Sequence, residues 1–433
     1  MRRITPGSLS AGSPTVKRGP GRAARSLCYT SPVLADPLLD GVVVLDLTRV
    51  LAGPYCTRLL ADLGARVVKI ERPETGDEMR RAPHQVEEGR EDQSTYFTRC
   101  NAGKESVGLD LSHPEARVIV ADLARAADVV VENFVPGVAA KLGCDYATLS
   151  AVRPGLVYCS ISGYGQTGPW RLRPAFAHII AAASGIMHLE RGGDPAPRGA
   201  SLQAADVLAG THAFGAILAA LWRRARTGQG THVDVSMLEC LIAADDVTYA
   251  SVLNGGEEQG APRPGMVVAP VGDGYLALQT AGAAEIWPRL TRLMDRHDLA
   301  TDPRFSTPIA RRQNWAVLEN EIRKWLASFA TVEHAVDALT TARVPCAPVL
   351  SPREVIALPH LATRHFFASV PHPARGAVRV TATPFHVDGQ PPGPAGPAPY
   401  RVGEHTRAVL THLANYSTEH IDRLVAHHIA IAP

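Results

Sequence analysis

The chain lacks an excess of charge of either sign. Its 433 residues include 44 Lys and Arg and 42 Asp and Glu, which gives a formal net charge of +2. Nucleic-acid-binding proteins usually carry a basic excess on one face, so this balance argues against a nucleic-acid partner. Hydrophobic residues make up 45% and charged residues 20% of the chain. These proportions argue against an intrinsically disordered protein and predict a globular one of two or three domains.

Closely spaced cysteine pairs are also missing. The seven cysteines are odd in number and scattered, and no two of them form a CxxC motif. This pattern disfavours structural zinc sites and a disulfide framework. The His and Asp residues are too dispersed to argue for a metal site, so we expect no metal cofactor. A reducing, cytoplasmic setting fits this composition best.

Long apolar segments and several familiar catalytic motifs are absent as well. The longest apolar run, residues 207–222, is interrupted by His212 and falls short of the roughly 20 apolar residues that a membrane span needs. It therefore predicts a buried core helix and no association with a membrane. The sequence has no Ser-His-Asp ordering typical of hydrolases, no HExxH motif and no Walker loop.

The first 36 residues differ in composition from the rest. They are basic and rich in Ser, Gly and Pro, and they contain no acidic residue before Asp36. An Arg-rich, acid-poor segment is typical of a mitochondrial transit peptide. However, Pro6, Pro14 and Pro20 would break the amphipathic helix of such a peptide, which favours a disordered extension or an over-long start. We therefore expect a cytoplasmic protein, with the mitochondrial matrix as the alternative.

Short apolar runs alternate with helical stretches from Gly41 onward. Residues 41–46, 67–70, 106–111, 128–133 and 156–162 predict strands, and residues 56–63 and 113–126 predict helices. This alternation implies a parallel, doubly wound sheet, so the predicted fold class is α/β with a large domain over residues 37–230. Ligands of such sheets bind beyond the carboxyl ends of the strands. The loops after Asp46, Ile70, Asn133 and Ser162 are therefore the predicted site.

The second half of the chain has a different pattern. In order, it predicts a helical region at 179–224, a strand at 232–235, a linker or mobile loop at 253–265, a strand at 275–278, helices at 285–298 and 314–326, a Pro- and Gly-rich linker at 391–399 and two helices between 404 and 426. These elements predict a linker and a smaller domain over residues 231–350. Residues 351–433 are expected to return to the large domain and complete it.

A glycine-rich segment follows the last strand of the predicted large domain. Residues Gly163 to Gly168 match the dinucleotide-binding pattern GxGxxG. In such a site a helix begins at the last glycine, and its N-terminus meets the pyrophosphate. Here Pro169 and Trp170 follow instead, which argues against a nicotinamide or flavin site. The glycines still let backbone N–H groups approach a ligand closely.

Three basic side chains are further candidates. Arg49 and Arg72 each follow a predicted strand closely; they could hold a phosphate-rich ligand or belong to a solvated basic surface. His178 lies where a helix begins, inside an apolar run. A single histidine in such a place is more often a core or capping residue than a catalytic one.

Five motifs are spread over the first half of the chain. They are residues 41–54 (GVVVLDLTRVLAGP), 63–73 (LGARVVKIERP), 76–77 (GD), 131–137 (VENFVPG) and 160–169 (SISGYGQTGP). Together they resemble the family III CoA-transferases, the group of formyl-CoA transferase, carnitine CoA-transferase and the succinyl-CoA:glutarate enzymes. The likeness runs from about Gly41 to the C-terminus, and it is nearest to the succinyl-CoA:dicarboxylate branch.

This resemblance implies a fold, an assembly and a pair of substrates. The implied fold is a Rossmann-like doubly wound large domain with a smaller α/β domain, in a homodimer of interlocked rings. The implied substrates are an acyl-CoA, with succinyl-CoA as a candidate, and a carboxylic acid. The implied CoA contacts are the loop Arg49, Val50, Leu51 and Ala52, with Arg72 near the adenine or its phosphates and Asn133 and Phe134 near the pantetheine.

The same resemblance implies covalent catalysis by one aspartate. Its carboxylate attacks the acyl-CoA thioester to give a mixed anhydride, the departing thiolate returns to form an aspartyl-CoA thioester, and the second acid then attacks that thioester. Backbone N–H groups at Gly163 and Gly165 would stabilise the developing oxyanion. This sequence carries Ala177 where the family has that aspartate. Loss of a nucleophile costs on the order of 10⁶ in turnover.

Three explanations of Ala177 stay open. The chain is an Asp-to-Ala variant of an active transferase, a homologue with different CoA-ester chemistry, or a protein that binds CoA esters without turnover. The second would be a lyase, hydrolase or decarboxylase that uses His178 or a carboxylate such as Asp206 or Glu190. A second departure from the family pattern, at residues 269–274, favours natural divergence. A racemase is disfavoured, because Ala147 stands where that branch has a histidine.

Overall fold

The computed structural model describes residues 36–192, 194–199, 201–245, 247–258, 260 and 263–433. The predicted N-terminal extension, residues 1–36, lies outside the described residues except for Asp36. The strands are β1 (Val43–Asp46), β2 (Arg66–Glu71), β3 (Lys104–Leu109), β4 (Val129–Glu132), β5 (Val157–Ser162), β6 (Thr231–Ser236), β7 (Met266–Val271), β8 (Gly274–Gln279), β9 (Cys346–Pro348), β10 (Phe367–His372), β11 (Gly376–Thr381) and β12 (Ala430–Ile431).

Helices connect these strands. The helices of the first half are α1 (Ala52–Asp62), α2 (Thr95–Asn101), α3 (Pro114–Ala126), α4 (Val138–Leu142), α5 (Tyr146–Val152), α6 (Ala177–Ala183), α7 (Ile186–Glu190) and α8 (Ala204–Thr227), with a 3₁₀ helix at Glu78–Arg81. Those that follow are α9 (Met237–Ile242), α10 (Thr248–Leu253), α11 (Ile286–Leu293), α12 (His297–Thr301), α13 (Pro308–Gln313), α14 (Trp315–Leu326), α15 (Val332–Thr341), α16 (Pro352–Ile356), α17 (Pro359–Thr363), α18 (Thr406–Ala414) and α19 (Thr418–Ala426).

A seven-stranded sheet forms the centre of the molecule, in the order β12-β3-β2-β1-β4-β5-β6. Its neighbours are parallel, except that β12 runs antiparallel to β3. Helices α1, α6, α8 and α9 cover one face, and α3, α5, α18 and α19 cover the other. The central strands are therefore buried on both faces, which explains why they read as continuous apolar runs. The predicted α/β class with a doubly wound sheet is confirmed.

The predicted domain boundary at residue 230 assigns one strand to the wrong sheet. The strand expected at residues 232–235 is β6, and it pairs in parallel with β5 at the edge of the central sheet. The reason is packing: Val233 and Val235 contact the same apolar core as α8. A connection through the long helix α8 is what a parallel β5–β6 pair requires.

A smaller antiparallel sheet follows, in the order β7-β8-β9. Trp287, Leu318 and Leu339, from α11, α14 and α15, build an apolar core beneath it. Strand β8 contains the predicted strand at 275–278, whereas β7 and the hairpin of β10 and β11 were not predicted. The helix predicted at 285–298 is two helices, because the chain turns between them at Asp295, which has φ of 52°.

Helix α8 differs from its prediction as a buried core helix. Ala205, Ala209, Ala213 and Ile217 on one face are buried, but Trp222 is 67% exposed. Only 33% of its most apolar window is buried in the chain. By length and composition alone α8 passes as a membrane-span candidate, a criterion that core helices of soluble proteins also meet. The composition of α8 predicts an apolar helix, but the exposure of its residues depends on which elements pack against it.

Candidate functional site

A cavity of about 700 Å³ opens at the carboxyl ends of β1 to β4. The predicted loops after Asp46, Ile70 and Asn133 contribute to its wall, which includes Thr48, Arg49, Arg72 and Phe134. The loop after Ser162 is not part of this lining and belongs to a second region, described below. The switch in strand order between β1 and β4 creates the crevice, as expected for a doubly wound sheet.

The loop from Arg49 to Ala52 is fixed by side chains from two neighbouring segments. The Asn133 amide accepts a hydrogen bond from Arg49 N at 2.9 Å and donates one to Arg49 O at 2.8 Å. Asp77 Oδ1 accepts from Val50 N at 3.2 Å. Val50 has φ of 71°, a left-handed conformation that is unfavourable for a β-branched residue. The hydrogen bonds on both sides of Val50 therefore hold a backbone that would otherwise relax.

Buried ion pairs form the floor beneath this loop. Lys69 Nζ lies 3.0 Å from Asp77 Oδ2 and donates to Thr48 O at 2.7 Å. Lys104 Nζ lies 3.0 Å from Asp46 Oδ2. Burial favours the neutral forms: it lowers the pKa of Lys104 to about 8. Against that effect, the two lysines lower the pKa of Asp46 to about 2, so the four side chains form an ionised, mutually dependent group.

The two predicted arginines differ in their surroundings. Arg49 donates to Glu78 Oε1 at 2.8 Å, and both side chains are largely exposed. Arg72 is exposed at the cavity wall, and its guanidinium makes no hydrogen bond or ion pair with the part of the chain that the structure describes. A free guanidinium at a cavity is a ready binding group for phosphate.

Phe134 is held by the residue two positions before it. Glu132 Oε2 accepts from Phe134 N at 2.8 Å. Burial raises the pKa of Glu132 to about 7, although Ser160 and the Phe134 amide oppose that rise. Phe134 therefore lines the cavity with its backbone anchored to a carboxyl group whose charge changes near neutral pH.

The second region of the site contains Gly163 and Gly165, in the loop after β5, and Ala177, at the start of α6. A Cβ on Gly163 would lie 2.2 Å from the Ala175 Cβ, so only glycine admits the segment that leads into α6. Gly165 has φ of 83°, and the next residue, Gln166, donates its backbone N–H to Asp234 at 3.0 Å. Ala177 is the first residue of α6 and is 6% exposed.

His178 and Asp206 lie beside this region. His178 is exposed on α6, which does not match the core or capping role that its sequence context favours. Asp206 is a partly buried residue in the first turn of α8, and the backbone N–H groups of Ala52 and of Asp206 itself favour its ionised form and so lower its pKa. Burial raises the pKa of Asp206 to about 6, while the Ala52 N–H and the nearby His178 oppose that rise. Glu190, the other carboxylate considered, is exposed at the end of α7.

Sequence patterns did not single out the buried ion pairs beneath the loop. Lys69 lies within a predicted strand and Asp77 within a matched motif, but neither carries a signal of its own. One signal in the sequence could have indicated them: a strand predicted to be buried on both faces contains a lysine, and a buried lysine requires a buried partner. Within the described residues, no group of three or more His, Cys, Asp or Glu side chains could hold a metal ion.

Comparison with known proteins agrees with the motifs. The model of CoA-transferase family III matches residues 39–406. The chain belongs to this family. The resemblance inferred from the five motifs is thereby confirmed, and CoA thioesters are the substrates of CoA-transferases as a class.

Relatives of this family III CoA-transferase include several enzymes that act with succinyl-CoA. The succinyl-CoA:glutarate CoA-transferase of Mus musculus is 33% identical over 407 residues, which are 89% of each chain. The succinyl-CoA:mesaconate CoA-transferase of Haloarcula hispanica is 37% identical over 385 residues, 86% of this chain and 95% of the relative. These names describe the relatives, and they show that the family's activity is CoA transfer.

Solved structures share the fold of this CoA-transferase. A CaiB/BaiF family protein from Brucella suis has a TM-score of 0.73 and 32% identity, covering 87% of this chain and 99% of its own. The Mycobacterium tuberculosis protein Rv3272 has a TM-score of 0.76 and 30% identity, covering 88% and 99%. The fold of the present chain is therefore that of the CaiB/BaiF proteins throughout most of its length.

Proposed function

We propose that this family III CoA-transferase binds an acyl-CoA, with succinyl-CoA as the first candidate, in the cavity at β1 to β4. Support comes from the fixed loop Arg49 to Ala52, the unpaired Arg72 and the anchored Phe134. The cavity volume of about 700 Å³ suits a ligand of cofactor size. The second substrate in this proposal is a carboxylic acid.

The shape of the cavity suggests an orientation for the ligand. Sheet order places Phe134, after β4, at one end, and Ser112 and His428, beside β3 and β12, at the other. The first end includes the apolar Val138, and Arg72 lies towards the second. We therefore assign the pantetheine to the Phe134 end and the nucleotide phosphates to the Arg72 end.

We further propose that the exchange of CoA is impaired, and Ala177 is the observation that carries this. In the transfer reaction a carboxylate oxygen forms a bond to the thioester carbon, the C–S bond breaks, and the CoA thiolate leaves with the electron pair. Ala177, at the start of α6, stands where the family resemblance implies that group, but its methyl group has no lone pair to donate. The Gly163 and Gly165 amides would then stabilise an oxyanion that rarely forms.

An exchange assay with a restored carboxylate tests this proposal. Succinyl-CoA and a panel of carboxylic acids are incubated with the unaltered chain and with Ala177→Asp, and the products are measured by mass spectrometry. Hydroxylamine traps an acyl-enzyme as an adduct at residue 177. Exchange and an adduct only in Ala177→Asp support the proposal. Rapid exchange by the unaltered chain contradicts the impairment, and a chain that binds no CoA at millimolar concentration contradicts the whole proposal.

A different CoA-ester chemistry is the second candidate function. It is favoured by the exposed His178, which lies next to Ala177 and near the carboxylate of Asp206. A lyase, hydrolase or decarboxylase acting through this imidazole would consume acyl-CoA steadily without Ala177→Asp, and His178→Ala would abolish that consumption. Saturable CoA binding without turnover by either form would instead indicate a CoA-ester binding protein.

The proposed assembly is a homodimer. Large apolar side chains that are more than half exposed lie on or beside three helices, α6, α8 and α10: Phe176, Ile179, Leu202, Trp222 and Leu253. Exposed apolar side chains of this kind would be buried by a second copy of the chain. Sedimentation velocity should show a dimer that Trp222→Glu and Leu253→Glu weaken. The equally exposed Ile309, in the smaller unit, provides a control as Ile309→Glu.

A further inference from the structure

Helix α8 reaches the candidate site at its first turn. Its closest approach to α1 is at Gly210, where a Cβ would lie 2.6 Å from Ala52 O and 3.4 Å from Cys56 N. Asp206 is one turn earlier on α8, and residues four apart share a face of a helix. The close crossing at Gly210 therefore brings the Asp206 carboxylate to the N-terminus of α1.

The interaction of Asp206 with Ala52 gives α1 the acceptor that its own N-cap residue lacks. The first turn of a helix has backbone N–H groups without helical partners, and Leu51, which precedes α1, has no side-chain acceptor for them. The Asp206 carboxylate, one turn before the crossing at Gly210, interacts favourably with the Ala52 N–H in its place. A negative charge at a helix N-terminus is also favoured by the helix dipole. The acceptor thus comes from a distant part of the chain and holds the last residue of the loop.

The other neighbours of Asp206 come from α6 and α2. His178, on α6, attracts the carboxylate. Tyr96, on α2, interacts with it electrostatically, and the Tyr96 hydroxyl donates to Gln203 Oε1 at 2.9 Å, three residues before Asp206. Ala177 and Ala181 of α6 share one apolar core with Ala205 and Ala209 of α8. The Asp206 carboxylate therefore lies between the loop Arg49 to Ala52 on one side and α6, the helix that begins at Ala177, on the other.

We propose that Asp206 is a positioning residue that fixes the loop Arg49 to Ala52 relative to α6, so that a CoA thioester in the cavity is aligned with position 177. This rests on the proposed function, since it takes the cavity to be the CoA site. Asp206 acts through the Ala52 amide and does not itself react with substrate.

The ionisation of Asp206 supports a role beyond structure. Burial raises its pKa to about 6 from 3.8, so the folded chain disfavours the charge. A group with a raised carboxyl pKa reduces stability as pH rises from about 4 to about 6, and the full reduction persists above pH 6. If Asp206 only stabilised the fold, an uncharged side chain at this position would give a more stable protein. Asp206→Asn should therefore leave the melting temperature at pH 7.5 unchanged or higher, while it weakens CoA binding.

The test compares CoA affinity with stability. Calorimetry measures the binding of CoA and of dephospho-CoA to four proteins: the unaltered chain, Asp206→Asn, Asp206→Ala and Glu333→Gln. Dephospho-CoA is included because its phosphates do not change charge between pH 5 and 8. Glu333 is an acidic residue in the first turn of α15 and serves as the matched control. We expect Asp206→Ala to lose about tenfold in affinity, the scale of one hydrogen bond to a charged group, and Asp206→Asn to lose less.

The pH profile separates this role from a merely structural one. Affinity of the unaltered chain for dephospho-CoA should fall as pH drops below 6, because the protonated carboxyl is a weaker acceptor for Ala52 N–H, and the Asp206→Asn profile should be flatter. The pH profile of the unaltered chain can be measured even where a variant does not fold. In an Ala177→Asp background, Asp206→Asn should raise the KM for acyl-CoA more than it lowers kcat.

The possible results distinguish failure of the proposed function from failure of the role proposed for Asp206. Failure of the unaltered chain to bind CoA or dephospho-CoA contradicts the proposed function. Binding with equal affinity and equal pH dependence in all four proteins leaves the proposed function standing and overturns the role of Asp206. A hydroxylamine adduct at Asp206 also overturns it, because that would make Asp206 a nucleophile. A lower melting temperature of Asp206→Asn with unchanged affinity indicates a structural residue and overturns it as well.

Discussion

The proposed site has two halves, a CoA-binding half and an exchange half, and they are held together by different means. In the binding half, the loop Arg49 to Ala52 rests on buried ion pairs and on the amide of Asn133. In the exchange half, Gly163, Gly165 and Ala177 are held by apolar packing and by one carboxylate, Asp234. The first half has several mutually dependent charged groups, whereas the second depends on small residues that fit closely.

This difference bears on how each half responds to substitution. An ion pair such as Lys69–Asp77 has both side chains within 1% of full burial, and changing either one leaves the other charged and unpaired. Position 177 is instead an end of a helix where alanine packs well, so a nucleophile can be absent without a cost to folding. A family III scaffold can therefore keep its binding half intact while its exchange half is chemically silent.

The largest effect on this comparison is expected from the buried pair. Lys69→Met leaves the Asp77 carboxylate buried without its cation and removes the donor to Thr48 O. We expect the free energy of unfolding to fall by about 3–5 kcal/mol, the usual range for removal of one member of a buried pair. Urea unfolding measures this, and calorimetry should show that CoA affinity falls as well.

The exposed pair of Lys324 and Glu321 gives the control for that change, since their ammonium and carboxylate groups are also 3.0 Å apart. Lys324→Met should change the free energy of unfolding by less than about 1 kcal/mol. If Lys69→Met changed the free energy of unfolding as little as Lys324→Met does, the buried ion pairs would not be the main stabilising contacts of the binding half.

A smaller effect, confined to the exchange half, is expected from Gly163→Ala. The added Cβ would lie 2.2 Å from the Ala175 Cβ, so the segment before α6 must move. Overpacking of this kind costs about 1–3 kcal/mol. In an Ala177→Asp background we expect slower exchange with CoA affinity unchanged. Gly199→Ala, where a Cβ would meet nothing within 4 Å, should alter neither, and a parallel loss of CoA affinity in Gly163→Ala would show that the halves are not independent.

The central sheet and the smaller sheet differ in how well the sequence predicted their strands. Strands β1 and β4 were recognisable because both of their faces are buried, so residues 43–45 and 129–131 are continuously apolar. Strand β7 alternates exposed and buried residues and contains Pro270, and it was missed. A proline within an apolar run argues against a strand, because it removes a donor from the hydrogen-bond ladder, and β7 accommodates Pro270 as an edge strand of its sheet.

Within the site, local motifs located the loops but not the contacts between them. Arg49 and Asn133 are 84 residues apart, and nothing in either motif states that the amide of Asn133 bonds to the Arg49 backbone. Asp206 could be named as a candidate carboxylate, but its approach to Ala52 depends on Gly210 and the crossing of α8 over α1. Such pairings arise from tertiary packing, which a single sequence does not encode in any short pattern.

The smallest expected effect comes from the exposed pair at the rim of the binding half. Arg49 and Glu78 are 41% and 49% exposed and joined at 2.8 Å, so Glu78→Gln should change the free energy of unfolding by less than about 1 kcal/mol. If Arg49 binds a CoA phosphate, Glu78 competes for the guanidinium and repels the ligand. Glu78→Gln should then raise CoA affinity by about two- to fivefold at low salt, corresponding to about 0.4–1 kcal/mol. The gain should shrink at high ionic strength, where charges at the surface are screened. Calorimetry at two salt concentrations, with Glu333→Gln as the control, measures both effects, and a salt-independent loss of affinity would show that Glu78 supports the loop rather than competing for Arg49.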